Sequence, residues 1–168
     1  SIPYSATVTA LPGSGERPLR FCSKMDHQTP ETISDMIRAA EADGEKFESN
    51  RTVVSLNVID KLRREYPGIP EDYLAYLGTV GAGSILSSSY AVYDGPIEPD
   101  EIFGFRDESW PEDLIAFGDN FSGDLGVFLP SSDWAVAELW HDDRSIVKTE
   151  FSFLGFMSDL IENLTREA

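Results

Sequence analysis

The sequence predicts an α+β domain: an antiparallel-rich sheet of consecutive strands packed with N-terminal helices and a C-terminal helix, plus an N-terminal hairpin-helix addition. Before residue 81, apolar side chains recur at the helical spacing of 3.6 residues in three stretches. The spacing changes to two over a run of short strands and returns to 3.6 over residues 153–164. Strands grouped in a run, instead of alternating with helices, are typical of a sheet with its helices on one face.

The first 50 residues are predicted to be an addition that packs on a main domain of residues 51–168. Polar and apolar side chains alternate over residues 4–11 and 19–25, and the Pro- and Gly-rich residues 12–18 between them predict a hairpin. A helix follows, with Thr29 as its N-cap, Pro30 in its first turn and Gly44 as its stop. Its predicted buried stripe is Ile33, Met36, Ile37 and Ala40.

Two more helices open the main domain. Asn57 is the predicted cap of the first, which turns Ile59, Leu62 and Tyr66 inward and ends at residues 67–68. The next begins at residues 70–72, where a proline precedes two acidic residues that favour the positive end of the helix dipole. Its predicted buried side chains are Tyr73, Leu74, Leu77 and Val80.

A run of strands follows the helices. Strand patterns cover residues 84–93, 114–117 and 126–129, and residues 135–141 and 145–151 are predicted to form a hairpin. Residues 94–96, Asp-Gly-Pro, are predicted to be a turn, and Pro99, Gly104 and Pro111 divide an irregular region after it. Ser152 is the predicted cap of the final helix. The apolar stripe of that helix is Phe153, Phe156, Met157, Leu160, Ile161 and Leu164.

The charge of the chain is concentrated in one part of it. Residues 91–143 contain fourteen carboxylates and one basic residue, Arg106, and so contribute −13 to a net charge of −17. Acidic disordered segments lack aromatic residues, but this stretch contains many, so we expect it to be folded. The charge argues against binding to nucleic-acid phosphates and to anionic membranes, and it leaves basic proteins as partners.

The sequence suggests a cytoplasmic protein. No stretch approaches the roughly 20 apolar residues of a membrane span, and no secretory signal is visible. The single cysteine, Cys22, excludes an internal disulfide framework and a cysteine-rich zinc site.

Three stretches of the chain carry a family resemblance. Residues 59–77 contain a helix followed by Pro70-Glu71-Asp72-Tyr73, and this second helix runs into the glycine turn of residues 81–83. Residues 115–129 read as strand, Gly- and Asp-rich hairpin, strand, and residues 136–143 as a strand that ends in an acidic turn. In this order and spacing, residues 57–164 resemble the SUKH superfamily, a small α+β fold of yeast cell-wall assembly regulators and bacterial immunity proteins.

The resemblance implies a binding protein without catalytic residues. Bacterial members neutralise a cognate toxin, often a nuclease, by binding it. Two features depart from the family pattern. Phe121 and Ser122 stand where the family tends to have glycine or small polar residues, and the first 50 residues have no counterpart.

The hairpin of residues 118–124 is predicted to be a structural turn. A calcium loop requires glycine at its sixth position and a bidentate acid at its twelfth, but Asp124 and Pro130 occupy those positions here. Glycine, aspartate and asparagine are also the residues that tight turns prefer.

No metal, cofactor or catalytic residue is predicted. His141, Asp142 and Asp143 are together too few for a metal site of three or four ligands, and the other histidine, His27, is distant in the sequence. Cys22 has no evident activating group. Residues 81–84 lack the lysine of a phosphate loop.

Twelve of the fourteen acidic residues in residues 91–143 fall into two groups. Five lie where turns are predicted: Asp94, Asp119, Asp124, Asp142 and Asp143. Seven others have no evident local role, and they form either a solvated loop or a docking surface for a basic partner. Trp110 among them either is exposed and contacts the partner, because tryptophan is enriched in binding hot spots, or packs under its own loop. The predicted partner-binding residues are Glu98, Asp100, Glu101, Asp107, Glu108, Trp110, Glu112 and Asp113.

The favoured hypothesis is an immunity-type protein that blocks a basic toxin, such as a nuclease, through this acidic surface. The alternative is a regulatory or scaffolding module that has no toxin partner. A small enzyme or metal-binding protein is the third and least favoured hypothesis.

Overall fold

The computed structural model of the protein describes residues 28–42 and 50–166. Over these residues it contains five helices and one seven-stranded antiparallel sheet, so the predicted α+β class is confirmed. The helices are α1 (Pro30–Ala42), α2 (Leu56–Glu65), α3 (Glu71–Thr79), α4 (Pro99–Phe103) and α5 (Phe153–Arg166). The strands are β1 (Arg51–Thr52), β2 (Ala82–Ile85), β3 (Tyr90–Ile97), β4 (Ile115–Asp119), β5 (Leu125–Leu129), β6 (Ala135–Leu139) and β7 (Ile146–Lys148).

The order of the strands across the sheet is their order in the chain. Each strand pairs antiparallel with the next, from β1 at one edge to β7 at the other. β5 lies inside the sheet, and all five of its residues are buried. These residues are buried because other parts of the chain pack against both faces of the sheet.

Helix α1 begins where the sequence predicts. The backbone N–H of Thr32 donates to Thr29 Oγ1 at 3.2 Å, which caps the first turn. Ile33 and Ile37 are fully buried, and α1 contacts α3 and α5. The predicted hairpin of residues 1–25 and the predicted stop at Gly44 lie outside the described residues.

Helix α2 starts two residues before the predicted position. Ser55, rather than Asn57, is the N-cap, and its Oγ accepts from the backbone N–H of Val58 at 3.4 Å. The predicted inward side is correct, because Ile59 and Leu62 are buried.

A carboxylate at the start of α3 joins this helix to α5. Asp72 Oδ1 accepts from the backbone N–H of Tyr73 at 3.0 Å, and Oδ2 accepts from that of Leu154 at 3.0 Å. The predicted cap Ser152 accepts from the N–H of Gly155 at 3.1 Å. One aspartate thus satisfies donors at the N-termini of two helices that meet over the sheet.

The main core lies between the helices and one face of the sheet. Its centre is a group of rings in edge contact, with Phe153 of α5 lying 5.1 Å from Tyr73 and 5.2 Å from Phe117 between ring centroids. Gly126 of β5 is needed here, because a Cβ at this position would collide with the Tyr90 hydroxyl and the Phe117 ring.

The predicted turn at residues 94–96 is wrong. β3 continues through them to Ile97, and its pairing with β4 shifts register between Val92 and Ile97. Gly95 lies against α2, where a Cβ would be 3.1 Å from a methyl carbon of Leu62. The Gly-Pro pair therefore marks an irregularity inside the strand and not its end. Asp94 is accordingly a strand residue.

Candidate functional site

The connection between β3 and β4, residues 98–114, covers the second face of the sheet. We call it the acidic segment. Its first part forms α4, where the sequence predicted irregular structure: Pro99 occupies the first turn, and Asp100 and Glu101 lie at the positive end of the helix dipole. Gly104 ends the helix with a φ of 78°, and its N–H donates to the carbonyl of Asp100 at 2.8 Å.

Apolar side chains of the acidic segment form a second core with the sheet. Trp110 is only 5% exposed, and its indole N–H donates to the backbone carbonyl of Arg144 at 3.0 Å. Of the two alternatives for Trp110, packing under its own loop is therefore the one observed, and an exposed contact residue is wrong. The second core comprises Trp110, Leu114, Ala116, Leu125, Val127, Leu129, Ala137 and Leu139.

A stack of aromatic rings connects this core to the surface. Phe105 lies 5.7 Å from Phe103 and 5.9 Å from Trp110 between ring centroids, and both pairs are close to parallel. The guanidinium of Arg144, which comes from the turn between β6 and β7, lies 4.4 Å from the centre of the Phe105 ring. This is a cation–π contact on a half-exposed ring.

Asp107 has a structural role that the sequence analysis did not assign to it. One of its oxygens accepts from Ser109 Oγ at 2.6 Å and from the Ser109 backbone N–H at 2.9 Å, and the other pairs with Arg144 Nη1 at 3.2 Å. Hydrogen bonds from Ser109, together with Arg144, lower the pKa of Asp107 to about 2. Asp107 therefore fixes the turn that carries Trp110.

Two further contacts hold the end of the acidic segment. Arg106 Nη2 donates to the carbonyl of Glu112 at 2.8 Å, and Ser131 donates its hydroxyl hydrogen to the carboxylate of Asp113. Asp113, like Asp107, is thus engaged within the fold.

Four carboxylates of the acidic segment point into solvent. Glu98, Glu101, Glu108 and Glu112 are exposed, and their side chains make no hydrogen bond or ion pair with any residue that the structure describes. Asp100 is half-buried, and its Oδ1 atom is buried without a hydrogen-bond partner in the described part of the chain. Of the eight residues predicted for partner binding, four glutamates are thus exposed, Asp107 and Asp113 are engaged within the fold, and Asp100 and Trp110 are buried in part or in full.

The β4–β5 hairpin uses its acidic residues as the sequence predicts. Asp119 Oδ1 accepts from the backbone N–H of Phe121 at 2.8 Å, and Asp119 Oδ2 accepts from the Tyr93 hydroxyl at 2.7 Å. Asn120 Oδ1 accepts from the N–H groups of Ser122 and Asp124. These contacts are turn chemistry.

His141 bridges two acidic residues next to this hairpin. Its Nδ1 lies 2.7 Å from Asp124 Oδ1, and its Nε2 lies 3.0 Å from Asp142 Oδ1. The hydrogen bond with Asp124 is the main cause that raises the pKa of His141, and the charge of Asp142 adds to it. Among residues 28–42 and 50–166 there is no group of three or more His, Cys, Asp or Glu residues placed to hold a metal ion.

The other two tryptophans differ in exposure. Trp134 is half-buried against Phe128, with ring centroids 5.8 Å apart. Trp140 is exposed, and its indole N–H donates to Glu138 Oε2 at 3.3 Å. Trp140 is therefore the tryptophan that a partner can reach directly.

Ile102, Phe105 and Arg144 form part of a surface that the sequence patterns did not predict. Arg144 is 39 residues beyond Phe105, and no local pattern links them. The available signal was the close spacing of three aromatic residues, Phe103, Phe105 and Trp110, among acidic residues. In the structure Phe103 is partly buried, Phe105 is exposed and Trp110 is buried.

Comparisons of this chain with family models, with curated proteins and with solved structures find no match. Among the described helices, none combines the length and the apolar character that crossing a membrane requires.

Proposed function

We propose that this protein is a non-enzymatic protein-binding domain that binds a basic partner through the acidic segment. The observation that carries the proposal is the set of four exposed glutamates, Glu98, Glu101, Glu108 and Glu112, which lack partners in the described structure. Like charges held close together oppose folding and attract positively charged partners.

The way in which the acidic segment is held against the sheet supports the proposal. Trp110 and Leu114 fix the acidic segment to the sheet, and Asp107 fixes its turn. A surface held in place before binding loses less conformational entropy when the partner arrives. Electrostatic complementarity of this kind mainly raises the association rate and sets specificity.

The resemblance of residues 57–164 to the SUKH superfamily favours toxin neutralisation as the biological role. A nuclease binds phosphates through clustered basic residues, so an acidic surface complements its active-site cleft. We therefore propose an immunity protein whose partner is a basic toxin, such as a nuclease.

Affinity capture from the native cell, followed by measurement of affinity for the purified partner, tests the proposal. The variant Glu101→Lys, Glu108→Lys, Glu112→Lys should lose binding by at least about tenfold, and salt should weaken binding to the unaltered protein. The control variant Asp35→Lys, Glu150→Lys, Glu162→Lys makes the same change of charge at exposed positions outside the acidic segment. Equal affinities of the two variants, or binding that does not vary with salt, would contradict the proposal.

The identity of the captured partner separates toxin neutralisation from the alternative. A nuclease or another toxin that the protein inhibits supports the immunity role. A captured partner that is not a toxin, and that loses affinity with the same variant, supports a regulatory or scaffolding module.

A further inference from the structure

We infer that the exposed surface of the acidic segment binds a basic polypeptide whose apolar side chains contact Ile102 and Phe105. Its guanidinium groups pair with the surrounding carboxylates and stack on the Phe105 ring. This inference rests on the proposed function and specifies the chemistry of the partner. It predicts an amphipathic basic segment, in which apolar residues alternate with arginine, rather than a purely electrostatic contact.

Two large apolar side chains remain open on the acidic segment. Ile102 is 39% exposed and Phe105 is 40% exposed. They are three residues apart, so their Cα atoms lie within about 11 Å of each other. The exposed glutamates Glu101 and Glu108 flank them in the chain. Aromatic anchors surrounded by polar groups are typical of the centres of binding surfaces.

The position of Phe105 is fixed before any partner binds. Its ring stacks on those of Phe103 and Trp110, and Trp110 is itself held by its hydrogen bond to Arg144. An exposed ring that is held in this way offers apolar area at a low cost in side-chain entropy.

Arg144 shows which cation this surface accepts. Its guanidinium lies 4.4 Å from the centre of the Phe105 ring while Nη1 pairs with Asp107 Oδ2 at 3.2 Å. A planar guanidinium both stacks on a ring and pairs with a carboxylate, which a lysine ammonium does less well. Arg144 thus makes, within the same chain, the kind of contact that we expect an arginine of the partner to make.

The inference can be tested with two synthetic peptides of equal charge. In the first, leucine alternates with arginine, and in the second, glycine replaces every leucine. We expect the leucine peptide to bind the protein about tenfold more tightly, because it buries the exposed parts of Ile102 and Phe105. Isothermal titration at fixed salt measures both affinities.

Two variants locate the contact. Ile102→Asn and Phe105→Asn should each remove most of the advantage of the leucine peptide. Val58→Asn, on α2 at 41% exposure, and Phe121→Asn, on the β4–β5 hairpin, are matched controls that should retain it. Thermal unfolding identifies any variant that has lost its fold, and Ile102→Asn changes a side chain outside both cores.

The position of Arg144 has its own test. Arg144→Asn frees the Phe105 ring and suits the left-handed backbone at this residue, whose φ is 61°. The affinity of Arg144→Asn for the leucine–arginine peptide should be about threefold higher than that of the control variant Lys148→Asn. The control also removes one positive charge, but from β7. Equal affinities of these two variants would overturn the assignment of a partner guanidinium to Phe105.

The outcomes separate the inference from the proposed function. If both peptides bind equally and their binding is sensitive to salt, the acidic surface is confirmed and the apolar contact is overturned. If neither peptide binds, the inference fails, whereas the proposed function fails only if the captured partner binds both triple variants equally or binds without dependence on salt. If the leucine peptide binds better but Ile102→Asn and Phe105→Asn leave its advantage unchanged, the inference fails at these residues.

Discussion

Asp107, Asp119 and Asp143 each accept a hydrogen bond from the backbone N–H two residues later. Part of the acidity of this chain is therefore local turn chemistry, in which a carboxylate holds the backbone of a tight turn. Asp107 and Asp143 both stand two residues before a serine, whose hydroxyl donates to the same oxygen at 2.6 Å. The sequence contains this Asp-x-Ser pattern twice. Only Asp143 was predicted to lie in a turn, because Asp107 lay in a region without predicted elements.

The charge of His141 should make stability depend on pH. Its pKa is raised in the folded protein by Asp124 and Asp142. The charged ring therefore contributes fully to stability below the ordinary histidine pKa of about 6.5, and this contribution is lost as pH rises through the raised pKa. The difference in unfolding midpoint between the unaltered protein and His141→Gln should be larger at about pH 5.5 than at about pH 9. A difference that does not change with pH would show that the neutral ring of His141 stabilises the fold as much as the charged ring does.

The turn between β2 and β3 should be stabilised by glycine. Leu86, Ser87 and Ser88 all have positive φ values, between 50° and 58°. Left-handed backbone costs a residue other than glycine about 1–2 kcal/mol, partly offset by the entropy that glycine loses. Ser87→Gly should therefore raise the free energy of unfolding by about 0.5–1 kcal/mol in urea denaturation.

Ser34 provides the control for this substitution. It lies within α1, where glycine is the poorer helix former, so Ser34→Gly should lower the free energy of unfolding by about 0.5 kcal/mol. If the two variants change the free energy of unfolding in opposite directions, the effect of glycine arises from the backbone conformation at each position. Destabilisation by both would contradict the prediction.

At the scale of elements, the sequence located a helix correctly where a start signal and an apolar stripe occur together. α1, α3 and α5 each combine a start signal with an apolar stripe, and their starts are correct. α4 was missed because five residues are too few to show a stripe. The β3 turn was a false prediction, since an Asp-Gly-Pro sequence satisfies a bulge as well as a turn.

Asp72 should be worth more to stability than its acidic neighbour Glu71. Asp72→Ala removes the acceptor for donors at the starts of both α3 and α5, which should cost about 2 kcal/mol. Glu71→Ala removes an exposed pair with Arg63, which should cost less than about 1 kcal/mol. Urea denaturation measures both. Equal losses for the two variants would contradict a linking role for Asp72.

At the scale of the whole molecule, the sheet separates two cores with different covers. Helices cover one face, and the acidic segment covers the other with its apolar side chains turned inward. The sequence predicted that this stretch is folded and acidic at once, but not that it covers the sheet. That arrangement depends on contacts between distant residues, such as Trp110 with Arg144, which no local pattern shows.

The net charge of −17 should make the folded protein sensitive to ionic strength. The Debye length falls from about 30 Å at 0.01 M to about 3 Å at 1 M salt, which screens the repulsion among the exposed carboxylates. The unfolding temperature should therefore rise as sodium chloride is added.

The variant Glu101→Lys, Glu108→Lys, Glu112→Lys tests where this repulsion arises. Each reversal adds two charges, so the net charge changes from −17 to −11. The unfolding temperature of this variant should rise less with salt than that of the unaltered protein. An equal rise in both would place the repulsion elsewhere in the chain.

The sequential order of the strands also bears on how the protein is made. Because each strand pairs with the strand synthesised just before it, the sheet can grow one strand at a time as the ribosome releases the chain. α5 follows all seven strands and supplies Phe153 and Phe156 to the main core. Until α5 emerges, the apolar sheet face of a nascent chain is covered only in part, by side chains such as Tyr73 of α3, and this is the stage at which we expect chaperones to bind it.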